Sequence, residues 1–272
     1  MCSSDLGVTA FSMELIPRIS RAQSMDALTS QALCAGYRAA LVAADLSPRF
    51  FPMLMTAAGT VTPAQVVVLG AGVAGLQAIA TAKRLGAVVS AYDVRPASAD
   101  EVKSMGAKFI NLELEALEGT GGYAREMTEE RAAKQRELLT PYLAAADVVI
   151  TTAAVPGRPA PRLVTGEMVA AMRSGSVVVD LAAETGGNVE GAKAGEIVTT
   201  ANGVIIWGGK DVPSQLPTHA SMLFSKNVVN LLNLMIKSAD GKVEITPDFN
   251  DEIIDAAAVT HNGARRSPEG KK

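Results

Sequence analysis

From Gln65 onward, short apolar runs alternate with segments whose apolar residues recur every three to four positions. The runs predict strands at Val66–Leu69, Val88–Tyr92, Lys108–Ile110, Asp147–Thr152, Ser176–Leu181, Ile197–Thr199 and Val204–Trp207. The other segments predict helices at Val73–Leu85, Ala99–Met105, Glu129–Ala145, Gly166–Met172 and Phe224–Lys237. Because the runs are continuously apolar, the strands are expected to be buried on both faces. We therefore predict an α/β fold with a doubly wound parallel sheet in the strand order 3-2-1-4-5-6.

The residues on either side of this region have a different pattern. A helix is predicted from the candidate N-caps Ser24 and Asp26 to Asp45, and a shorter helix at Met53–Ala58. Periodicity is lost after Ile245, and a disordered basic tail is expected over 265–272. The predicted regions are a helical linker or remnant of a second α/β domain (1–60), the main α/β domain (61–222), a closing helix that returns to the second domain (223–260), and a tail (261–272).

Composition excludes several classes of function. The chain has 272 residues, 48% hydrophobic and 19% charged, which is ample for a buried core. With a net charge of −3 and no basic run before the tail, nucleic acid is not expected as a partner. No apolar segment approaches the ~20 residues that a membrane helix needs, so we expect no direct membrane insertion.

The cysteines and histidines do not have the spacing of metal ligands. Cys2 and Cys34 form neither a disulfide framework nor a zinc motif, which is typical of a reducing compartment. His219 and His261 lie far apart in the sequence and have no motif around them. The sequence therefore predicts no metal site.

A Gly-x-Gly-x-x-Gly motif follows the first predicted strand of the sheet and opens a helix. Gly70 permits a tight turn, Gly72 lets a pyrophosphate approach the backbone, and Gly75 allows close packing of the helix on the strand. The free N–H groups of the helix start favour phosphate. This context is typical of a Rossmann-type dinucleotide site, rather than of a glycine-rich turn without ligand. The predicted contacts are Gly70, Gly72, Val73, Ala74 and Gly75.

An acidic residue closes the next strand. Asp93 lies where a carboxylate meets the hydroxyls of the adenosine ribose, with Val94 beside it. A carboxylate there repels a 2′-phosphate, which favours NAD over NADP. Arg95 argues weakly for NADP, but a salt-bridged surface role is the preferred interpretation.

Two loops rich in small residues leave the carboxyl ends of the fourth and fifth strands. They cover Thr151–Pro161 and Asp180–Asn188, and they would let a nicotinamide ring lie close to the backbone. The predicted contacts in them are Thr152, Ala153, Pro156, Glu184 and Gly186. The glycine-rich insertion around Tyr123 is either a hinged lid or a plain solvated loop.

No convincing general acid or base is found for a dehydrogenase of alcohols or amino acids. Hydride transfer between two nicotinamides needs none, only rings held at reacting distance with water excluded.

Several of these segments resemble the NAD(H)-binding component, the alpha subunit, of the proton-translocating NAD(P) transhydrogenases. The matching segments are Ala10–Asp26, Val66–Gly86, Gly121–Met127, Thr151–Pro161, Val179–Asn188 and Leu223–Leu232. Alanine dehydrogenases are relatives with the same architecture, but Gly121–Met127 and Gly208–Pro213 are more similar to transhydrogenase.

The resemblance implies roles that the pattern alone does not give. Arg18, Gln23 and Asp26 would handle the nicotinamide carboxamide and its ribose, although the polar run Pro17–Asp26 otherwise indicates only a helix start. Tyr123 would fold over bound nucleotide. The family component is a dimer, bound to an NADP(H)-binding and a membrane-spanning component that couples transfer to proton movement. We thus expect a cytoplasmic location, peripheral on the inner face of the bacterial plasma membrane.

The resemblance also implies that about a hundred residues of the second domain precede Gly7 in the family, by analogy with domain size. Two alternatives stay open. One is an amino-acid dehydrogenase of the alanine dehydrogenase type, and the other is an inactive NAD-binding fragment.

Overall fold

The computed structural model describes residues 7–112, 114, 128–154, 157–239 and 242–266. The chain forms two compact units. The first unit combines Met1–Gln31 with Pro217–Lys272, and the second is Ala32–Leu216.

Helices and strands alternate through most of the described chain. The α-helices are α1 (Ala27–Leu46), α2 (Val73–Arg84), α3 (Ser98–Ser104), α4 (Glu129–Ala145), α5 (Gly166–Ala170), α6 (Pro217–Met235) and α7 (Glu252–Ala257). The strands are β1 (Ala10–Phe11), β2 (Leu54–Thr56), β3 (Gly59–Val61), β4 (Gln65–Leu69), β5 (Val88–Tyr92), β6 (Lys108–Phe109), β7 (Val148–Thr151), β8 (Val177–Asp180), β9 (Ile197–Thr199), β10 (Ile205–Gly208), β11 (Ile236–Ala239), β12 (Lys242–Ile245), β13 (Ala258–His261) and β14 (Ala264–Arg265). Short 3₁₀ helices lie at Met13–Leu15, Ser20–Met25, Ala183–Thr185 and Val212–Gln215.

The second unit is built on a seven-stranded sheet in the order β6-β5-β4-β7-β8-β10-β9. The first six strands of this order, from β6 at one edge through β5, β4, β7 and β8 to β10, run parallel to one another, which confirms the predicted doubly wound α/β fold. The sixth position is taken by β10, and β9 pairs antiparallel to it at the edge. The connection from β9 to β10 is too short for a crossover helix, so these two strands can only run in opposite directions.

Both faces of this sheet are buried. Along β4, Val66 and Val68 belong to one apolar cluster, and Val67 and Leu69 belong to another on the opposite face. The first cluster includes apolar residues of α1, α2 and α3. The second includes apolar residues of α4 and α5. Because successive side chains point to opposite faces, a strand covered on both sides has to be apolar throughout.

Three local predictions are wrong. Residues Leu54–Thr56 and Gly59–Val61 form an antiparallel hairpin, not a helix over Met53–Ala58. The closing helix begins at Pro217 rather than Phe224, because proline is well suited to a first helical turn, and it ends at Met235. Regular structure continues beyond Ile245 as α7, β13 and β14.

The tail prediction also begins too early. Arg265 lies in β14, and the side chain of Arg266 pairs with Asp255 at 2.7 Å and covers the Phe249 ring at 4.0 Å. These contacts order residues that a purely compositional argument treats as a basic tail. Residues 267–272 of the predicted tail lie outside the described residues.

The first unit has its own core, around Ile16, Met25, Leu231, Met235 and Ile253. Its sheet has the order β1-β13-β14, and β11 and β12 form a separate hairpin. Within the described ranges, none of the helices is both long enough and apolar enough to cross a membrane.

Candidate functional site

The glycine turn between β4 and α2 has the geometry that the motif predicts. Gly70 has a φ of +100°, a conformation that side chains disfavour, and its N–H donates to the carbonyl of Tyr92 at 2.8 Å. A Cβ on Gly75 would lie 1.8 Å from the Gly70 carbonyl oxygen, so only glycine allows α2 to approach this closely. The space around Gly72 is different, because an added Cβ would meet nothing within 4 Å.

The start of α2 faces that open space. Gly72 is the N-cap residue, and it provides no side-chain hydrogen bond to the helix. The first N–H groups of a helix lack partners inside the helix and carry partial positive charge. A helix start with open space in front of it favours an anion, because the free N–H groups carry partial positive charge.

Asp93 follows β5 and lies directly beside the glycine turn. Its Oδ2 accepts hydrogen bonds from the N–H of Ala71 at 2.7 Å and from Arg95 Nη2 at 3.0 Å. Its Oδ1 accepts from the N–H and the Nε of Arg95, both at 2.9 Å. Arg95 is thus ion-paired with Asp93, as the salt-bridged role preferred from the sequence requires. Its hydrogen bond to Asp93 raises the pKa of the guanidinium. Val94 is half-buried against the core of the α4 face.

Tyr92 anchors this end of β5. It is buried, its hydroxyl donates to Gln135 Oε1 at 3.0 Å, and burial raises its pKa to about 12. The hydroxyl therefore stays protonated at neutral pH and serves the packing of α4 on the sheet.

The loop after β7 is tied to the glycine turn. The Thr152 hydroxyl donates to the Gly70 carbonyl at 3.0 Å, and the Thr152 N–H donates to the Leu69 carbonyl at 2.9 Å. The next residue, Ala153, donates its N–H to Asn188 Oδ1 at 3.0 Å. The carboxyl ends of β4, β5 and β7 therefore bring Gly70, Asp93 and Thr152 to one edge of the sheet.

The loop after β8 carries Glu184 and Gly186. Glu184 is exposed, and its Oε2 accepts from the N–H of Asp211 at 3.0 Å. Gly186 has a φ of +102°, and its carbonyl accepts from Arg162 Nη2 at 3.1 Å. Asp211 has a φ of +46°, a strained conformation for a residue with a side chain, and such residues cluster at functional sites.

Two polar residues at this edge have no role in the sequence predictions, although the segment Asp180–Asn188 itself is singled out. Asp180 is fully buried at the end of β8. Its Oδ1 accepts from the Ala182 N–H at 2.9 Å and the Thr151 hydroxyl at 3.1 Å, and its Oδ2 accepts from the Val189 N–H at 3.0 Å. Burial raises the pKa of Asp180, and these donors act against the rise. An acid that ends an otherwise apolar strand is the signal that could have identified it.

Asn188 is also fully buried. Besides accepting from Ala153, its side chain donates to the carbonyls of Ala153 and Pro161, both at 2.8 Å. Its own carbonyl accepts from the N–H groups of Leu163 and Val164. The Asn188 side chain therefore joins the loops after β7 and β8, in addition to the hydrogen bond from Arg162 to Gly186.

Arg18, Gln23 and Asp26 lie in the first unit. Arg18 and Gln23 are exposed, and Gln23 lies in the 3₁₀ helix Ser20–Met25. Asp26 caps α1, because its carboxylate accepts from the N–H and the hydroxyl of Thr29 at 2.9 and 2.7 Å. Tyr123 and Pro156 lie outside the described residues. Among the residues that are described, no group of three or more His, Cys, Asp or Glu side chains could hold a metal ion.

The fold and this edge define a doubly wound α/β protein with a dinucleotide-type glycine turn. A family model described as "Alanine dehydrogenase/PNT, C-terminal domain" matches residues 39–268. The chain therefore belongs to the alanine dehydrogenase/PNT family, with a match to its C-terminal domain.

Individual relatives agree with this assignment. The chain is 48% identical over 262 residues to NAD(P) transhydrogenase subunit alpha of Haemophilus influenzae, covering 96% of this chain and 51% of the relative. It is also 48% identical over 269 residues to NAD(P) transhydrogenase subunit alpha of Cereibacter sphaeroides, covering 96% of this chain and 50% of the relative. The chain thus spans about half the length of these two relatives.

A solved structure gives the same result. The crystal structure of transhydrogenase from Sinorhizobium meliloti superposes with a TM-score of 0.83 at 51% sequence identity. The match covers 97% of this chain and 70% of that chain. Fold and family were thus both predicted correctly.

Proposed function

We propose that this chain is the NAD(H)-binding component of a transhydrogenase, which passes hydride from NADH to NADP⁺ held on a partner protein. The observation that carries the proposal is the glycine turn, with open space at Gly72, an uncapped helix start and a carboxylate at Asp93. Membership of the family supports it, together with relatives that are transhydrogenase alpha subunits.

The pyrophosphate would lie over the start of α2. We propose that Gly70 and Gly75 set the shape of the turn and that the backbone of Gly72, Val73 and Ala74 contacts the phosphates. The dipole of α2 adds a favourable interaction with the negative charge.

Asp93 would select NAD by accepting the hydroxyls of the adenosine ribose, with Val94 against the adenosine. A carboxylate has about four lone-pair sites, and four protein hydrogen bonds already occupy them here. Binding of the ribose would therefore displace the side-chain donors of Arg95, while the Ala71 N–H holds the carboxylate in place. The negative charge of the Asp93 carboxylate would repel the 2′-phosphate of NADP(H).

The nicotinamide half would lie at the loops after β7 and β8. We propose contacts from Thr152, Ala153, Pro156, Glu184 and Gly186. The resemblance further supports Arg18, Gln23 and Asp26 as the residues that orient the carboxamide and its ribose, and Tyr123 as the residue that closes over the nucleotide. When bound, NADH supplies the hydride, and the task of the protein is to orient the ring and to exclude water.

The partners that we propose are an NADP(H)-binding component, a membrane-spanning component that couples transfer to proton translocation, and a second copy of the chain. Exposed apolar residues on and beside the β2–β3 hairpin support the homodimer, with Met53 59% and Met55 74% exposed. Through these partners the chain would lie on the cytoplasmic face of the bacterial plasma membrane. Regions 1–31 and 223–260 would belong to a second domain, whereas residues 32–60, predicted together with them, lie in the second compact unit.

An amino-acid dehydrogenase of the alanine dehydrogenase type is the second candidate. It is favoured by the exposed carboxylate of Glu184 at the same edge, which could exchange a proton with a substrate. The third reading is an NAD-binding fragment without activity.

Calorimetric titration with NADH and with NADPH tests the proposal. We expect NADH to bind and NADPH to bind at least about tenfold more weakly, since an unfavourable charge contact of ~1.4 kcal/mol is worth that factor. Oxidation of NADH by pyruvate and ammonia would instead indicate the amino-acid dehydrogenase. Failure to bind either nucleotide would contradict all three readings.

A further inference from the structure

We propose that Asp180 and Asn188 are positioning residues, which hold Thr152 and Ala153 after β7 and residues 181–189 after β8 in the one arrangement that accepts the nicotinamide half of the dinucleotide. Neither residue needs to touch the nucleotide for this role. The inference rests on the proposed function, and it adds two residues that the glycine motif and the ribose carboxylate do not include.

Asp180 connects three separate segments of the second unit. Its carboxylate accepts from Thr151 at the end of β7, from Ala182 just after β8, and from Val189 at the far end of the loop. Both ends of the loop 181–189 are thereby fixed to one buried group. If the two ends of the loop moved apart, hydrogen bonds to the buried carboxylate would break, and an unsatisfied buried charge is costly in free energy.

Only a carboxylate satisfies this arrangement. The donors approach both oxygens, with a backbone N–H on each. An asparagine at this position would turn its NH₂ group toward one of those N–H groups, whichever way the amide is flipped. The substitution Asp180→Asn therefore keeps the shape of the side chain and breaks one end of the loop.

The backbone of the loop is shaped around the carboxylate. Gly187 has a φ of +76°, and a Cβ there would lie 3.0 Å from Asp180 Oδ2. The absence of a side chain lets the loop close over Asp180. The neighbouring Gly186, a predicted nicotinamide contact, lies in this loop, and its carbonyl also accepts from Arg162.

Asn188 carries the same constraint to the loop after β7. It accepts from the Ala153 N–H and donates to the carbonyls of Ala153 and Pro161. Ala153 follows Thr152, whose hydroxyl donates to the carbonyl of Gly70. A chain of hydrogen bonds thus runs from the glycine turn through Thr152, Ala153 and Asn188 to the loop that Asp180 holds.

A matched control residue, Asp147, lies at the amino ends of the parallel strands. Asp147 is 6% exposed, precedes β7, accepts from the Gln65 N–H at 2.8 Å, and pairs with Arg49 and Arg173. It is also a buried carboxylate bonded to a backbone N–H beside the central strands. It differs from Asp180 in lying at the amino ends of the strands, away from the proposed site.

The experiment compares the affinities of two ligands, NADH and ADP-ribose, by calorimetry in the full chain. ADP-ribose carries the adenosine and both phosphates but has no nicotinamide. In Asp180→Asn we expect NADH to bind about tenfold more weakly, as for one lost hydrogen bond to a charged group, and ADP-ribose within about twofold of the unmodified chain. Asp147→Asn should lower thermal stability and leave both affinities unchanged. If Asp180→Asn does not fold, Asn188→Ala replaces it with the same expectation.

The outcomes separate this inference from the proposed function. Equal loss of both ligands in Asp180→Asn, or an unchanged NADH affinity in a folded variant, would overturn the positioning role. The same nicotinamide-selective loss in Asp147→Asn would also overturn it, since general destabilisation would then be the cause. If the unmodified chain binds neither ligand, the proposed function fails and this inference fails with it.

Discussion

The substitution Gly72→Ala adds one methyl group, which should weaken nucleotide binding without destabilising the fold. Gly72 has a φ of −75° and a ψ of −171°, which alanine adopts readily, and an added Cβ would have no atom within 4 Å. The folded protein should therefore tolerate alanine. Glycine-to-alanine changes at compatible positions typically stabilise by ~0.4–1 kcal/mol, because the unfolded chain loses freedom.

Nucleotide binding should respond in the opposite way. The methyl group would occupy the open space over the start of α2, where we propose that the pyrophosphate approaches the backbone. Losing one hydrogen bond from an N–H group to a charged phosphate costs ~1.5–3 kcal/mol. We therefore expect the dissociation constant for NADH to rise by about tenfold to a hundredfold.

The neighbouring Gly75→Ala serves as the contrasting variant. Its Cβ would lie 1.8 Å from the Gly70 carbonyl oxygen, a backbone atom that cannot move without shifting β4 or α2. Overpacking of this kind costs ~1–3 kcal/mol or more, and for a domain of this size each 1 kcal/mol lowers the melting temperature by about 2–4 °C.

Thermal unfolding and NADH titration of the two variants form the assay. Gly72→Ala should melt at or slightly above the temperature of the unmodified chain and bind NADH poorly. Gly75→Ala should melt several degrees lower. A Gly72→Ala variant that binds NADH with unchanged affinity would refute the placement of the pyrophosphate at this turn.

Two further predictions concern charged side chains. Asp93→Ala should raise the affinity for NADPH relative to NADH by about tenfold, because it removes the carboxylate and releases Arg95. The control variant Arg95→Ala keeps the carboxylate and should not favour NADPH. Titration with both nucleotides checks this, and an unchanged ratio of affinities in Asp93→Ala would show that Asp93 does not contact the ribose. Asp251, at the start of α7, has its pKa lowered to about 2 by its hydrogen bond from Arg21. Since the folded pKa lies below the unfolded value of 3.8, this pair stabilises the protein above pH 4 and loses its effect as the pH falls toward 2. The melting temperatures of the unmodified chain and Arg21→Gln should therefore differ at pH 6 and converge near pH 2, and a difference that persists at pH 2 would contradict the assignment.

Much of the second unit could be predicted from the sequence, because the central strands of its main sheet are buried on both faces. Continuous apolar runs such as Val66–Leu69 leave little choice of structure, and the glycine spacing identifies the turn. The same logic failed at the β2–β3 hairpin. Its six strand residues are all exposed, so burial imposes no alternation there, and the cross-strand pairing that forms it leaves no periodic signal.

The geometry of the candidate site was predictable where local contacts constrain single positions, and less so where contacts link distant residues. Gly70 and Gly75 are glycines because of local contacts that the motif implies. The network of Asp180 and Asn188 joins residues from Thr151 to Val189, and no spacing rule reports such pairings. Asp26 is ambiguous for a different reason. An aspartate just before a helix is explained equally well by helix capping and by a nucleotide contact, so the sequence pattern does not distinguish the two roles.

The central claim is that hydride passes directly from NADH on this chain to NADP⁺ on a partner. The most direct test mixes the protein with NADH deuterated at the transferred position, NADP⁺ and the purified NADP(H)-binding component. We predict that the deuterium appears in NADPH, without exchange into water, and that omission of either protein abolishes the transfer. NADH that is bound but delivers no deuterium to NADP⁺ would contradict the account.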